Sequence, residues 1–374
     1  MKTLKQFFKF SFVISSLALV ACSGPSRPKI AEVNLPQVLQ DVQTSWTAQV
    51  GPIDFPMVVA AQNNTVALAN AQGVVSVLSA STGKAMSRLE LKERLSAGVG
   101  SDGQQVAVVT LNGDLVVAAN GKEQWRSNLN SGSFTPPLVA GGRVFVLTSD
   151  RSVLAFDAQT GKKLWQQQRP GDPLVLKNPG VLMPFKNTLL VGLSGRLVGM
   201  DPDSGLIRWE TAIATPRGTN DVERLVDLVG PADRVGDVVC VRAFQSQVGC
   251  VDAQRGQALW TRASVGERGI DGNEKLVIAP LANGVVQVWN RSTGERVWDT
   301  ERLKYHQLGT PLFTPRGILI SDHGGWLYLL SLADGALLNR IKLSGDELVG
   351  PPVQAGSTYV VVTRQGAVTG LQIP

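Results

Sequence analysis

The fold is decided by the stretch Val153-Leu-Ala-Phe-Asp157-Ala-Gln-Thr-Gly161-Lys-Lys-Leu-Trp165, where an apolar run ends at an aspartate. A glycine follows four residues later, and a tryptophan four residues after that. An aspartate side chain can accept backbone N–H groups two residues further on, and glycine adopts a positive φ without a Cβ clash. The middle of the stretch therefore predicts a tight turn, flanked by two strands.

This arrangement recurs along the chain with steps of 38 to 51 residues between turn glycines. Ser87 and Asn339 replace the aromatic residue in two copies, and the other copies keep a tryptophan. An apolar alternation before the turn and an aromatic after it, at this period, indicate one four-stranded unit per repeat. We therefore predict an all-β protein, a β-propeller of four-stranded antiparallel blades. The turn glycines are Gly83, Gly121, Gly161, Gly205, Gly256, Gly294 and Gly335.

The ring has to close, because open edge strands invite aggregation. The C-terminal repeat ends after its third apolar segment, at Ile373, and lacks an outer strand. The segment around Trp46 reads as an orphan outer strand near the N-terminus. We predict that it completes the last blade, which gives eight blades over residues 41–374.

The N-terminus reads as an export signal. Lys2, Lys5 and Lys9 precede an apolar run over 10–21 that is too short to span a membrane as a helix. The sequence Leu-Val-Ala-Cys22 resembles the lipobox of bacterial lipoproteins, which implies cleavage after residue 21 and lipid attachment to Cys22. Residues 22–40 then read as a flexible, lipidated tether. Ser23 favours the outer membrane, since an aspartate there resembles an inner-membrane retention signal.

The charge balance argues against a nucleic-acid partner. The whole chain has 36 basic and 30 acidic residues, a net charge of +6. Loss of Lys2, Lys5 and Lys9 with the signal leaves 33 basic residues and a net charge of +3. A charge this small and scattered does not form the basic patch that nucleic-acid binding needs.

Two cysteines flank one predicted hairpin. Cys240 and Cys250 lie five residues on either side of Gln245, so they can face each other on neighbouring strands. An oxidising compartment would permit a disulfide. Two buried thiols that pack as small apolar side chains are the equal alternative.

Nothing in the sequence nominates a catalytic, cofactor or metal site. His306 and His323 stand apart from other ligand-type residues and read as ordinary histidines. Asp157, Asp201 and Asp252 occupy one repeat position, which favours a role in the turn over catalysis. A sugar-binding function is not favoured, because this chain offers no aromatic platform beyond Trp289 and Trp326, which read as packing residues. We expect no catalytic residue, cofactor or metal.

The repeat resembles that of pyrroloquinoline-quinone enzymes. Those propellers are larger and typically carry a vicinal cysteine pair, a stacking tryptophan and calcium-binding carboxylates. This chain has no adjacent cysteines. A periplasmic quinone-dependent dehydrogenase is the alternative function that this resemblance implies.

The chain more closely resembles the β-propeller lipoproteins of the outer-membrane β-barrel assembly machine, the BamB family. Lipobox, tether, eight repeats and closing strand together cover nearly the whole chain. The partner-binding loop of that family reads Leu-x-Leu-Arg, and Leu174, Leu176 and Lys177 occupy those places. Lysine in place of arginine loses a rigid bidentate fork.

A second stretch is similar to the acidic loop of that family, with Arg224, Leu225 and Asp227 in matching positions. Val229 falls where the family has a second aspartate. The charged pair Arg224 and Asp227 is expected to surround an apolar anchor formed by the leucines of the first loop. The alternative is that those leucines fold back onto the ring.

The resemblance implies a non-catalytic scaffold that is lipid-anchored to the outer membrane of a Gram-negative bacterium, on its periplasmic face. Its expected partner is the barrel-forming subunit, bound through that subunit's periplasmic repeat domains. Its expected role is to aid insertion of outer-membrane proteins.

Overall fold

The computed structural model describes residues 28–35, 37–169, 171 and 174–374. The predicted signal peptide and Cys22 lie outside these residues. Within them, no helix is long and apolar enough to cross a membrane. The regular structure in the described part of the chain consists of strands. They are β1 Gln43–Gln49, β2 Ala60–Gln62, β3 Thr65–Ala69, β4 Val74–Ser79, β5 Ala85–Glu90, β6 Leu95–Ser101, β7 Gln105–Thr110, β8 Asp114–Ala119, β9 Lys122–Asn128, β10 Leu138–Ala140, β11 Arg143–Leu147, β12 Ser152–Asp157, β13 Lys163–Gln168, β14 Leu182–Phe185, β15 Thr188–Leu193, β16 Arg196–Met200, β17 Ile207–Ala212, β18 Leu228–Val235, β19 Val238–Ala243, β20 Gln247–Asp252, β21 Gln257–Ala263, β22 Asp271–Gly272, β23 Leu276–Pro280, β24 Val286–Asn290, β25 Arg296–Thr300, β26 Leu312–Thr314, β27 Gly317–Ser321, β28 Trp326–Leu330, β29 Leu337–Lys342, β30 Val353–Ala355, β31 Thr358–Val362 and β32 Ala367–Gln372.

The strands form eight four-stranded antiparallel sheets, which we number as blades 1 to 8 from β2 onward. Blade 8 combines β30, β31 and β32 with the N-terminal β1, and Trp46 pairs with Gly370. The first strands of most neighbouring blades contact one another, including those of blades 8 and 1. The predicted eight-bladed propeller and its N-terminal closing strand are confirmed.

The repeated aspartate holds the turn before the outer strand. Asp157 Oδ1 accepts the backbone N–H groups of Gln159 at 3.1 Å and Thr160 at 2.8 Å, together with the Thr160 hydroxyl. The bond from the Thr160 amide is the main reason that the pKa of Asp157 is lowered. Asp201 and Asp252 make the same pair of backbone bonds in their own blades. These carboxylates therefore have the predicted turn role.

At six of the eight junctions between the described blades, a tryptophan of the outer strand joins its blade to the next. The Trp165 indole donates to the Pro202 carbonyl at 3.0 Å, and its ring covers Gly205. Gly205 has a φ of 73°, and a Cβ there would lie 2.6 Å from Trp165 Cε3. Glycine is thus required at position 205 both by the positive φ and by the close approach of the Trp165 ring. The other pairs of ring and glycine are Trp46–Gly83, Trp125–Gly161, Trp209–Gly256, Trp260–Gly294 and Trp298–Gly335.

The junction between blades 7 and 8 lacks this tryptophan because blade 8 has two chain ends in place of a turn. Asn339 Nδ2 donates to the Gln40 carbonyl at 2.7 Å, and Gln40 Nε2 donates to the Pro374 carbonyl at 2.8 Å. The Leu39 amide donates to the Leu338 carbonyl at 2.9 Å, on the outer edge of β29. The described end of the predicted tether thus lies against the ring.

Strand direction sorts the connections onto two faces. Because the four strands of a blade alternate in direction, the turn between strands two and three emerges on the same face as the connection to the next blade. We call this the loop face. The turns that contain the repeat glycines emerge on the opposite face.

Candidate functional site

Two long connections lie side by side on the loop face. The connection from β13 to β14 is described at residues 169, 171 and 174–181, and residues 213–227 link β17 to β18. We call them the first and second loops. Their ends are joined, because Gly180 forms an antiparallel bridge with Val229 and the Gly230 amide donates to the Pro179 carbonyl at 2.8 Å. The two predicted stretches therefore belong to one surface.

Arg151 ties the loops together. It lies in the turn between β11 and β12 with a φ of 63°, and its side chain is 9% exposed. Its Nη1 donates to Asp227 Oδ1 and its Nη2 to the Leu174 carbonyl, both at 3.0 Å. Asp227 Oδ2 accepts the Leu176 amide at 3.3 Å. One guanidinium and one carboxylate thus fix the backbone on either side of Val175.

The leucines of the first loop differ in exposure. Leu176 is half-buried above a cavity of about 50 Å³, whose apolar wall includes Phe134, Leu147 and Leu193. Leu176 thus lines this cavity together with residues of the ring. Leu174 is 38% exposed.

The second loop carries one helical turn. The Asn220 side chain accepts the Glu223 amide at 2.9 Å, and Glu223 Oε2 accepts the Thr219 amide at 2.9 Å. The bond from Thr219 is the main reason that the pKa of Glu223 is lowered. This reciprocal capping resembles a capping box and fixes the start of the turn. The turn presents Val222, which is 72% exposed.

The charged residues of the predicted site have unequal roles. Arg224 and Leu225 are half-buried in the second loop, and Lys177 is exposed on the first. Asp227 directs both of its oxygens to groups within the protein. It positions the loops, whereas the sequence led us to expect a charge that surrounds the apolar anchor. Val229 is 2% exposed in β18, so its side chain belongs to the core.

Sequence reasoning missed Arg151. It precedes Asp227 by 76 positions and belongs to an ordinary repeat turn. Its turn, Thr148-Ser-Asp-Arg151, is polar and contains no residue that the sequence marks as a partner of Asp227. The signal that could have identified it is a buried arginine opposite a loop that carries an aspartate, and this requires knowledge of which turns share a face.

The other candidate residues lie elsewhere. Cys240 and Cys250 are directly paired on β19 and β20, with Cα atoms 4.0 Å apart, and are joined by a disulfide. His306 contacts Asp322 and a backbone carbonyl. Within the described ranges, no group of three or more His, Cys, Asp and Glu residues could hold a metal ion.

Comparisons with known proteins identify the family of this chain. The family model described as outer membrane protein assembly factor BamB matches residues 71–300 and 282–373. A protein of that name from Burkholderia pseudomallei is 34% identical over 364 residues, which cover 95% of each chain. Its Bordetella pertussis counterpart is 32% identical over 94% of this chain and 93% of its own.

The fold is also that of a solved relative. The crystal structure of BamB from Moraxella catarrhalis superposes with a TM-score of 0.82 at 21% identity. The superposition covers 89% of this chain and all of that one. By its repeats, its ring and its sequence, the chain belongs to the outer membrane protein assembly factor BamB family.

Proposed function

We propose that this protein is a non-catalytic scaffold in the assembly of outer-membrane β-barrel proteins. The observation that carries the proposal is the joined pair of loops on one face of a rigid ring, in a chain whose relatives are named outer membrane protein assembly factors. Loops on a rigid frame are the usual place for recognition. Its partner would be the barrel-forming subunit, bound through that subunit's periplasmic domains.

Exposure decides which residues touch the partner. Leu174 and Val222 are exposed apolar side chains on the two loops, and Lys177 adds a positive charge at the edge. Apolar anchors with a polar rim are typical of binding hot spots. Leu176 and Asp227 support this surface from below.

The anchor would be Cys22, lipid-modified at the periplasmic face of the outer membrane. Support comes from the lipobox-like sequence before it. Attachment to the membrane raises the local concentration of a scaffold near its partner. Loss of lipid-modified mass in a Cys22→Ala variant, by mass spectrometry of the membrane fraction, would test the anchor separately from the loops.

Co-purification tests the partner surface. We expect Leu174→Glu to reduce recovery of the barrel-forming subunit from detergent-solubilised envelopes by at least about tenfold, since a charge in an apolar anchor site costs more than 1.4 kcal/mol. Leu206→Glu is the matched control, because Leu206 is 65% exposed in a turn on the opposite face. Equal recovery with both variants would rule out this surface.

A further inference from the structure

The junction between blades 1 and 2 lacks the tryptophan, and the turn glycine of blade 2, Gly121, packs against the backbone of blade 1 instead of a ring. Ser87 pairs with Val77 in the register in which Trp165 pairs with Ala155. The turn that would receive a ring in blade 2 is reduced to two residues, Asn120 and Gly121, between β8 and β9. In the described structure no indole fills this position, and Gly121 lies against the backbone of β5, where a Cβ would be 2.8 Å from the Arg88 carbonyl oxygen.

An open cavity of about 170 Å³ results. Val77 is half-exposed at its base, whereas Ala155 and Val288, at the same position of blades 3 and 6, are completely buried. Met86 lies at its mouth and is 63% exposed. Its wall also includes Leu89, Val106 and Ala118. A partly apolar cavity near 150 Å³ is large enough to bind a benzene ring, so this one can accept an aromatic side chain.

The junction between blades 7 and 8 shows how a polypeptide covers an outer strand without tryptophan. Leu338 occupies the place in β29 that Met86 occupies in β5, one residue before the missing ring. Its carbonyl accepts the Leu39 amide, and its side chain is half-buried beside the chain's own N-terminal segment. Within the described structure no strand pairs with the outer edge of β5. Met86 therefore lacks the cover that Leu338 has.

We infer that the edge of β5 at Met86 and Ser87 is a docking site for an extended segment of a partner polypeptide that carries an aromatic side chain. The backbone of that segment hydrogen-bonds to the outer edge of β5, as the Leu39 amide donates to the Leu338 carbonyl of β29. Its aromatic ring enters the cavity, whose lining includes Val77, Met86 and Ser87. Strand addition supplies affinity through the main chain, and a pocket for one side chain supplies specificity. This site is independent of the two loops.

The experiment is a methyl NMR titration of the full mature chain, with the methyl signals of Met86 and Val77 as reporters. The probe is a capped pentapeptide with a central tryptophan between pairs of threonines. The first comparison is the same peptide with a central alanine, and the second is N-acetyltryptophanamide. We expect the tryptophan peptide to shift both methyl signals and to bind at least about tenfold more tightly than either comparison compound, since stacking and strand pairing each contribute.

Two variants identify the cavity as the site. Ser87→Trp fills it from within and is expected to abolish the shift at Val77. Met86→Glu places a charge at an exposed position at the mouth of the cavity and leaves the fold intact. We expect it to weaken binding of the tryptophan peptide by about tenfold. Unchanged binding by both variants, or no shift at millimolar peptide, would overturn the inference. Equal affinity of peptide and N-acetyltryptophanamide would exclude a polypeptide occupant and leave a small-molecule site.

Discussion

Arg151 Nη1 lies 3.0 Å from Asp227 Oδ1, in a pair whose side chains are only 9% and 17% exposed. The arginine belongs to the hairpin of blade 3, and the aspartate belongs to the loop that enters blade 5. Between them runs the first loop, whose Leu174 carbonyl and Leu176 amide complete the contact. The shape of the proposed partner surface therefore depends on this ion pair.

Removal of either partner of this pair is expected to destabilise the protein. Arg151→Met and Asp227→Asn should each lower the free energy of unfolding by about 1–3 kcal/mol, because each breaks the ion pair between the two side chains in a poorly solvated place. The double variant should lose less than the sum of the two, since the residues interact directly. Urea unfolding of the four proteins measures this, and strictly additive losses would contradict the account.

The closing strand could be predicted because its physical requirement is local to the sequence. The last repeat lacks an outer strand, and Trp46 stands alone upstream of the first repeat with the composition of such a strand. The loops could be located as irregular stretches between repeats. The contacts of Arg151 with Asp227 and the first loop could not be predicted. No periodicity in the sequence relates the hairpin of blade 3 to the loop that enters blade 5.

The exposure of single side chains was also beyond the sequence. Leu174 and Leu176 alternate in the same stretch, yet Leu174 is exposed and Leu176 is half-buried at a cavity whose lining includes Phe134. Which of the two faces outward depends on where Arg151 and Asp227 hold the backbone. The same limit applies to Ser87, which stands where other blades have tryptophan. The cavity beside it also depends on the short turn of the next blade, Asn120-Gly121.

The contact between turn glycine and tryptophan predicts a graded effect of added methyl groups. Gly205→Ala combines a strained φ with a Cβ 2.6 Å from the Trp165 ring. Gly141 also has a positive φ, of 59°, but a Cβ there meets no atom within 4 Å. Gly141→Ala should cost about 1 kcal/mol from backbone strain, and Gly205→Ala about 1–3 kcal/mol more from overpacking. Equal midpoints of thermal unfolding for the two variants would contradict a close contact between the turn glycine and the tryptophan ring.

A histidine gives the attachment of the N-terminal segment a pH dependence. His306 Nδ1 lies 2.9 Å from Asp322 Oδ2, and its Nε2 lies 3.0 Å from the Ala31 carbonyl. Only the imidazolium form donates from both nitrogens. The hydrogen bond with Asp322 is the main reason that the pKa of His306 is raised. The stabilisation of the folded state by protonated His306 is therefore fully present below the pKa of about 6.5 in the unfolded chain. It is lost as the pH rises through the higher pKa of the folded state.

Amide exchange measures this attachment directly, because the Ala31 amide donates to the Lys304 carbonyl at 3.0 Å. After correction for the intrinsic rate, we expect less protection of Ala31 at pH 8 than at pH 6. His306→Gln should remove the difference. The control His323→Gln, at a 63% exposed side chain, should retain it. A wild-type protection factor that does not change with pH would count against the account.

The bond between Cys240 and Cys250 is expected to persist in protein purified without reductant. The denatured, unreduced chain should then show no free thiol from this pair. Closure of a loop with a sequence separation of 10 predicts a loss of about 2–3 kcal/mol on replacement of both cysteines by alanine. Reductant should lower the stability of the wild type and leave that variant unchanged. Two reactive thiols in the unreduced protein would show that the bond does not form.

The most direct test of the scaffold account is site-specific photo-crosslinking in intact cells. A photoreactive phenylalanine analogue is placed at position 174 on the loop face, and in a parallel strain at position 206 on the opposite face. The account predicts a crosslink from position 174 to a periplasmic domain of the barrel-forming subunit and none from position 206. Equal labelling from both positions, or labelling of that subunit from position 206 alone, would contradict it.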